Sequence, residues 1–248
     1  MSKSFNTDGC CDPALHYMVD LTKRLQDIKA MVDAGKYFSI NRARQYGKTT
    51  MLTALAEKLA ADYEVVSMDF QGFSYADFIS EQSFIAAFSR QMLLCAANLP
   101  ADAAKELEYY STGQINPVTL SMLFLSLKKL TDQSRKKLVL IIDEVDSATN
   151  NQVFIDFLAQ LRFYYLRRKK TSTFQSVILA GVYDVRNIRQ KIRPDEEHRQ
   201  NSPWNIAADF DVSLSFSPED IAGMLTQYED DHHTGMDIAG ISGLLYDY

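Results

Sequence analysis

The residues that could do chemistry lie in two short stretches. The first is Arg42-Ala43-Arg44-Gln45-Tyr46-Gly47-Lys48-Thr49-Thr50. Its second half matches the phosphate-binding pattern G-x-x-x-x-G-K-[ST], in which backbone N–H groups wrap phosphates. Arg42 stands where that pattern carries its first glycine. In this reading Lys48 reaches the β- and γ-phosphates of a nucleoside triphosphate, and the Thr49 hydroxyl faces Mg2+. The amides from Gln45 to Thr49 point at the phosphates, helped by the positive end of the helix that follows. The nucleotide-binding set is Arg44, Gln45, Tyr46, Gly47, Lys48, Thr49 and Thr50. Arg42 is a further candidate; Arg42 and Arg44 either add positive charge near the phosphates or brace the loop from outside. Gly47 is required because a side chain there would block close approach of the backbone.

The second stretch is Leu138-Val139-Leu140-Ile141-Ile142-Asp143-Glu144. An acid at the tip of a buried strand can hold Mg2+, usually through water. A glutamate directly after it can polarise an attacking water. Asp143 is therefore the metal candidate beside Thr49, and Glu144 the general base. Lys48 and Glu144 together form the catalytic assignment. Asp146, two residues on, reads as a helix cap rather than a second-shell acid.

These residues need a frame to hold them. Tyr37-Phe38-Ser39-Ile40 is short, aromatic and strand-prone. Thr49 to Ala60 has leucines at 52, 55 and 59, spacings that place them on one helical face. The Gly47-Lys48-Thr49 triplet thus falls at a strand-to-helix junction, the context its motif needs. Glu64 to Phe70 reads as a second strand. The apolar run 138–142 suggests a strand buried on both faces of a parallel sheet. Helices are expected over 78–97, 117–130 and 151–168. Ser176 to Gly181 is a fourth strand, and Phe210 to Phe216, apolar at every second position, a fifth. Ser217 then caps a helix with Pro218 in its first turn and Asp220 three residues on. Strands alternating with helices predict an open, mostly parallel, five-stranded α/β sheet.

The 248 residues allow one large α/β domain, or one domain with a small appendage. With 46% hydrophobic and 23% charged residues the composition is that of a soluble globular protein. The sequence has no run long and apolar enough for a membrane span and no signal-peptide core at its start. Cys10, Cys11 and Cys95 fit no zinc or disulfide spacing, so free thiols in a reducing cytoplasm are expected.

The net charge of −6 argues against broad binding of nucleic acid. The charge is uneven, however. Arg162, Arg167, Arg168, Lys169, Lys170, Arg186, Arg189, Lys191 and Arg193 form a basic middle, while no Lys or Arg occurs from Gln200 to Tyr248. The basic middle and acidic tail could pair with each other, or the basic stretch could meet a partner. A solvated helix face is the simpler account.

The segment 138–144 resembles a Walker B strand of the class with an extra catalytic glutamate, which includes AAA and STAND ATPases. More narrowly, Ile40 to Thr50 resembles the AAA-like P-loop ATPases of bacteria and archaea whose loop is led by arginine, R-x-R-[QR]-[FY]-G-K-[ST]. His16-Tyr17-Met18-Val19-Asp20, Ser202 to Ala207 and Phe216-Ser217-Pro218-Glu219 are also similar to that family, so the likeness spans roughly residues 12 to 248. It implies a P-loop NTPase three-layer sandwich with strand order 5-1-4-3-2. It implies an N-terminal segment, 1–36, flanking the nucleotide, an ATPase core over 37–216, and a helical lid starting at 217–248 that stops short of the family's full lid. By the same resemblance Asp184 and Arg186 are candidates for sensing the γ-phosphate, and Tyr17, Met18 and Val19 for lining the base, with core packing an equal account of Tyr17. The lid arginine usual in AAA proteins is missing. ATP and Mg2+ are the expected ligands, and absence of the guanine-reading N-K-x-D leans away from GTP. Three functions follow: a cytoplasmic ATPase, a nucleotide-gated switch with negligible turnover, and a nucleic-acid-associated module. A C-terminal effector domain or a protein partner fits the first two, and no membrane partner is expected.

Overall fold

The computed structural model describes residues 3–7, 9–41, 47–114, 117–182 and 203–247. Four strands are formed: β1 (Phe38–Asn41), β2 (Glu64–Asp69), β3 (Leu138–Asp143) and β4 (Ser176–Gly181). They make one parallel sheet in the order β1-β4-β3-β2. That is the 1-4-3-2 part of the expected order. The register sets Asn41 beside Gly181 and Asp143 beside Asp69, so these residues end their strands at a common carboxyl edge.

Eight helices accompany the strands among the described residues: α1 (Thr22–Asp33), α2 (Lys48–Leu59), α3 (Glu81–Cys95), α4 (Ala101–Ser111), α5 (Leu120–Gln133), α6 (Gln152–Leu166), α7 (Pro218–His232) and α8 (Ile238–Asp247). Local chemistry fixes several of their ends. The Ser80 hydroxyl accepts the Ser83 amide before α3, and Thr119 caps α5 in the same way. Ser217 and Asp220 form a reciprocal capping box before α7, with Pro218 in the first turn. That start is as the sequence predicts.

The chain divides into two compact units, one of residues 30–43 and 56–210, the other of 1–29, 44–55 and 211–248. The first contains the sheet. Every residue of β3 and β4 is buried, as their β-branched, unbroken sequences demand. Val66, Met68, Leu138, Leu140, Ile142, Val177 and Leu179 join one core with the apolar faces of α3 to α6. Its centre is aromatic: Phe84 and Phe157 have ring centroids 5.3 Å apart, Phe88 and Phe157 5.1 Å, and Phe124 and Phe157 5.4 Å. Burying each such ring contributes about 1.5–3 kcal/mol.

In the second unit Arg24 of α1 is the organising side chain. Its guanidinium pairs with Asp220 at 2.5 Å and donates to the carbonyls of Ser213 and Ser215 at 3.1 and 2.9 Å. It also stands 5.6 Å from the Phe216 ring centroid.

This arrangement explains a correction. The expected fifth strand, 210–216, does not form; among the described residues the sheet has four strands. The alternation survives only as alternating burial along an extended segment. Two of its carbonyls are taken by Arg24 instead of a neighbouring strand. All that remains of a fifth position is a single parallel bridge between Phe38 and Ala208, with the Ala208 amide donating to the Tyr37 carbonyl at 2.7 Å. Alternation specifies two faces, but a strand also needs a partner for its backbone. No described helix is long and apolar enough to cross a membrane.

Candidate functional site

The phosphate-loop candidates divide at Gly47. Arg42, Arg44, Gln45 and Tyr46 lie outside the described residues, as do Asp184 and Arg186. Gly47 has φ +67°, a left-handed value that favours glycine. A Cβ built there meets nothing within 4 Å. The positive φ is by itself a reason for glycine at this position. The Gly47 carbonyl accepts the Met51 amide at 2.9 Å, so helix bonding starts at once. Lys48 opens α2 and is buried, whereas Thr49 is exposed.

Thr50 has a visible structural task. Its hydroxyl accepts the Cys11 amide at 3.0 Å, which ties the N-terminal segment to the first turn of α2. The Cys10 thiol lies 3.8 Å from the Thr53 hydroxyl one turn later. Sequence spacing gave no hint of these contacts.

At the tip of β3, Asp143 is buried and its carboxylate accepts the amide of Glu144 at 2.8 Å. Glu144 takes φ 52° and ψ 39°. A left-handed glutamate is uncommon and costs backbone energy, of order 1–3 kcal/mol. This left-handed residue ends the extended run, and Val145–Ser147 follows as a short 3-10 turn.

Asp146 is not a helix cap; the cap of α6 is Asn151. The Asp146 carboxylate instead accepts the amide of Val182, at 2.5 Å, just past the end of β4. It is pressed against Gly181: a Cβ there would fall 2.8 Å from the carboxylate oxygen. Asp146 therefore locks the turn after Asp143-Glu144 to the mouth of the neighbouring strand. Ser147 extends the lock by donating to the Phe70 carbonyl at 3.2 Å beyond β2.

Two further features at the end of β1 escaped sequence reasoning. The Asn41 side-chain oxygen is buried without a hydrogen-bond partner among the described residues. It lines a small cavity of about 220 Å3 with Ser39, Ala207, Ala208 and Phe210. Ser39, one of the lining residues, accepts the indole N–H of the buried Trp204 at 2.7 Å.

The base-lining candidates sit in the second unit. Tyr17 and Val19 are buried, and the Met18 carbonyl accepts from Gln227 of α7 at 2.7 Å. The Tyr17 ring packs with Phe5 and Tyr228, at centroid distances of 5.1 and 5.5 Å, and its hydroxyl donates to Asp231 at 2.9 Å. Burial, then the Asp231 carboxylate, pushes the Tyr17 phenol up to about 12. His232 stacks on Tyr228 at 4.3 Å. Tyr17 thus joins the N-terminal segment to α7, a packing role in its own right.

The charged regions also resolve in part. Asp220 of the acidic tail pairs with Arg24. Arg167 and Arg168 lie over the rings of Phe163 and Tyr165, 3.7 and 3.8 Å from their centroids.

The sequence model of a family described as an AAA-like domain matches residues 16–242. No curated protein matches the chain. Among solved structures, Cdc6p from Pyrobaculum aerophilum is similar at a TM-score of 0.50 and 12% identity, covering 85% of this chain and 49% of that one. The Aeropyrum pernix Orc1 protein, solved in complex with DNA, is similar at a TM-score of 0.50 and 10% identity, covering 86% and 50%. The chain spans about half the length of these solved chains, and at such identities the likeness concerns the fold.

Proposed function

The chain belongs to the AAA-like domain family, and from that premise we propose that it binds ATP with Mg2+ and hydrolyses it to ADP and phosphate to drive a conformational switch. The observation that carries the reading is Gly47, turned to positive φ directly before a buried Lys48 in the first turn of α2. A helix start with a lysine at its first position is suited to polyphosphate. The fit extends to the ion: Thr49 offers an exposed hydroxyl and Asp143 a buried carboxylate, both hard oxygen donors. When bound, Mg2+ screens phosphate charge.

The chain's own residues carry the other roles. Lys48 neutralises the β- and γ-phosphates, with Arg44, Gln45, Tyr46, Gly47, Thr49 and Thr50 completing the loop and Arg42 beside it. Glu144 orients water and draws off its proton. Its left-handed backbone, held by Asp146 on Val182, fixes where that carboxylate emerges. Asp184 and Arg186, outside the described residues, are the candidates for reading the γ-phosphate. Tyr17 and Val19 are the candidates for the base side. Residues 37–216 form the ATPase core of this proposal, 1–36 its flank and 217–248 the start of a lid. A protein partner or a further effector domain would receive the switch.

A second reading, a nucleotide-gated switch with negligible turnover, is favoured by one feature. The helices α7 and α8 contain no Lys or Arg, so they offer no cation to a developing phosphate charge. Nucleotide then acts by preferring one conformation. Phosphate release with Glu144→Gln separates the two. Hydrolysis predicts that binding survives and release falls at least ~100-fold. Equal release from parent and variant removes Glu144 as the base.

A further inference from the structure

A parallel sheet brings the starts of all its strands to one edge. Here that edge collects cations from four distant places in the sequence. Lys36 precedes β1, Lys58 lies in the last turn of α2 before β2, Arg135-Lys136-Lys137 precede β3, and Arg167-Arg168-Lys169-Lys170 follow α6 before β4. All but the half-buried Lys58 are exposed. Because the strand order is β1-β4-β3-β2, every strand start along the edge is next to a cation.

Backbone contacts hold these segments together. The Ser176 hydroxyl donates to the Lys36 carbonyl at 2.6 Å. The Gln175 side chain donates to the carbonyls of Val32 and Asp33, both at 3.0 Å, and its amide to Leu138 at 2.8 Å. The Glu64 amide donates to the Lys137 carbonyl at 3.0 Å. The Lys136 ammonium closes the turn before β2 by donating to Ala60 and Ala61, at 2.7 and 2.9 Å. The acids at this edge are partly engaged: Asp132 pairs with Lys128 at 2.5 Å, and Asp33 accepts the Tyr63 hydroxyl at 2.7 Å. Asp62 is exposed there too, yet cations predominate along the edge.

We infer that this amino edge is a docking lane for the phosphate backbone of duplex nucleic acid. Four strands at ~4.8 Å spacing make a lane of about 15 Å. That matches roughly four phosphates of one strand at ~3.4 Å of axial rise each. The arginines are set in advance. Arg167 and Arg168 lie flat on Phe163 and Tyr165, and Arg168 also donates to the Tyr165 carbonyl at 2.9 Å. Side chains already held in place lose less freedom on meeting phosphate. Each guanidinium covers one face of its ring, while Phe163 stays 45% exposed. A row of charges at strand spacing meets a regular backbone and reads no sequence. The overall charge of −6 opposes this local attraction, so binding is weak and strongly salt-dependent.

The inference stands apart from the nucleotide reading, because none of its residues belongs to the phosphate loop or to the tip of β3. Its test is fluorescence anisotropy of a labelled 30-base-pair duplex against the full chain at low salt. Lys137→Glu/Lys169→Glu is compared with Lys23→Glu/Lys105→Glu, which makes the same net charge change at exposed positions elsewhere. The lane predicts at least ~10-fold weaker binding for the first pair, less than ~2-fold change for the second, and a parental log–log salt slope of about −3.6 for four phosphates. Lys48→Ala binds duplex as the parent does, whatever happens to nucleotide. Equal losses in the two pairs, no parental binding at ~100 μM protein, or binding to phosphatidylserine vesicles in place of duplex would each overturn it.

Discussion

The two edges of the sheet are built on opposite principles. At the carboxyl edge the described polar groups around the tip of β3 are closely held. Asp143 is buried, Glu144 is left-handed, and Gly181 leaves Asp146 no spare room. At the amino edge the charged groups are many and exposed, and side chain-to-backbone bonds brace the turns. Strain and enclosed charge cost stability, so they persist where surrounding structure over-determines them, as at a reacting centre. Exposed charge costs little and acts at a distance, which suits encounter with a large charged partner. Under the two proposals, one sheet separates a place for chemistry from a place for docking.

The separation can be broken by experiment. Its largest expected effect is on turnover. Glu144→Gln lowers phosphate release at least ~100-fold, while Lys137→Glu/Lys169→Glu leaves it within ~2-fold; a similar loss in both would end the division of labour. Next comes packing at the carboxyl edge. Gly181→Ala forces a Cβ to 2.8 Å from the Asp146 carboxylate and costs about 2 kcal/mol in denaturant unfolding. Asp146→Ala strands the Val182 amide and costs about 1–3 kcal/mol. The double variant costs less than the sum, because the new methyl occupies the space vacated. Simple additivity would mean that the two residues are not in the contact described.

The smallest effect is at the amino edge. Tyr37, just before β1, is buried and donates to the Phe174 carbonyl at 3.1 Å. Tyr37→Phe costs about 1 kcal/mol at neutral pH. Burial raises the Tyr37 phenol above its ordinary value near 10. A raised pKa means that the folded form keeps a proton that the unfolded chain gives up. Its contribution is therefore complete below pH ~10 and is lost as pH rises further. Unfolding titrations should show a shallower alkaline loss in Tyr37→Phe; an unchanged profile would contradict the role given to burial.

Much of the carboxyl edge was legible in the sequence, and little of the amino edge. Asp143-Glu144 is read within a few residues at the end of its strand, and Gly47-Lys48, in the other unit, is read in the same local way at the start of α2. The unbroken run 138–142 and the Ser217 capping box are likewise local signals, and both elements form as read. What failed was pairing over distance. The strand expected at 210–216 lacks a ladder because Arg24, nearly two hundred residues earlier, takes two of its carbonyls. Asp146 read as a cap because its partner, Val182, lies 36 residues on, just past the end of β4. Arg167–Lys170 of the basic middle are exposed, as a solvated face requires, and the parallel topology adds Lys36 and Arg135–Lys137 at the same edge. Helix α1 gave no strong signal, since its apolar positions, such as Ile28 and Val32, are set among charged residues.

The central claim is that the loop at Gly47-Lys48 binds nucleotide. Isothermal titration of Mg·ATP into the parent and into Lys48→Ala tests it most directly. The account predicts saturable binding by the parent and at least ~100-fold weaker binding by the variant, a loss of about 2.7 kcal/mol, with circular dichroism unchanged. Equal affinity in a folded Lys48→Ala would contradict it.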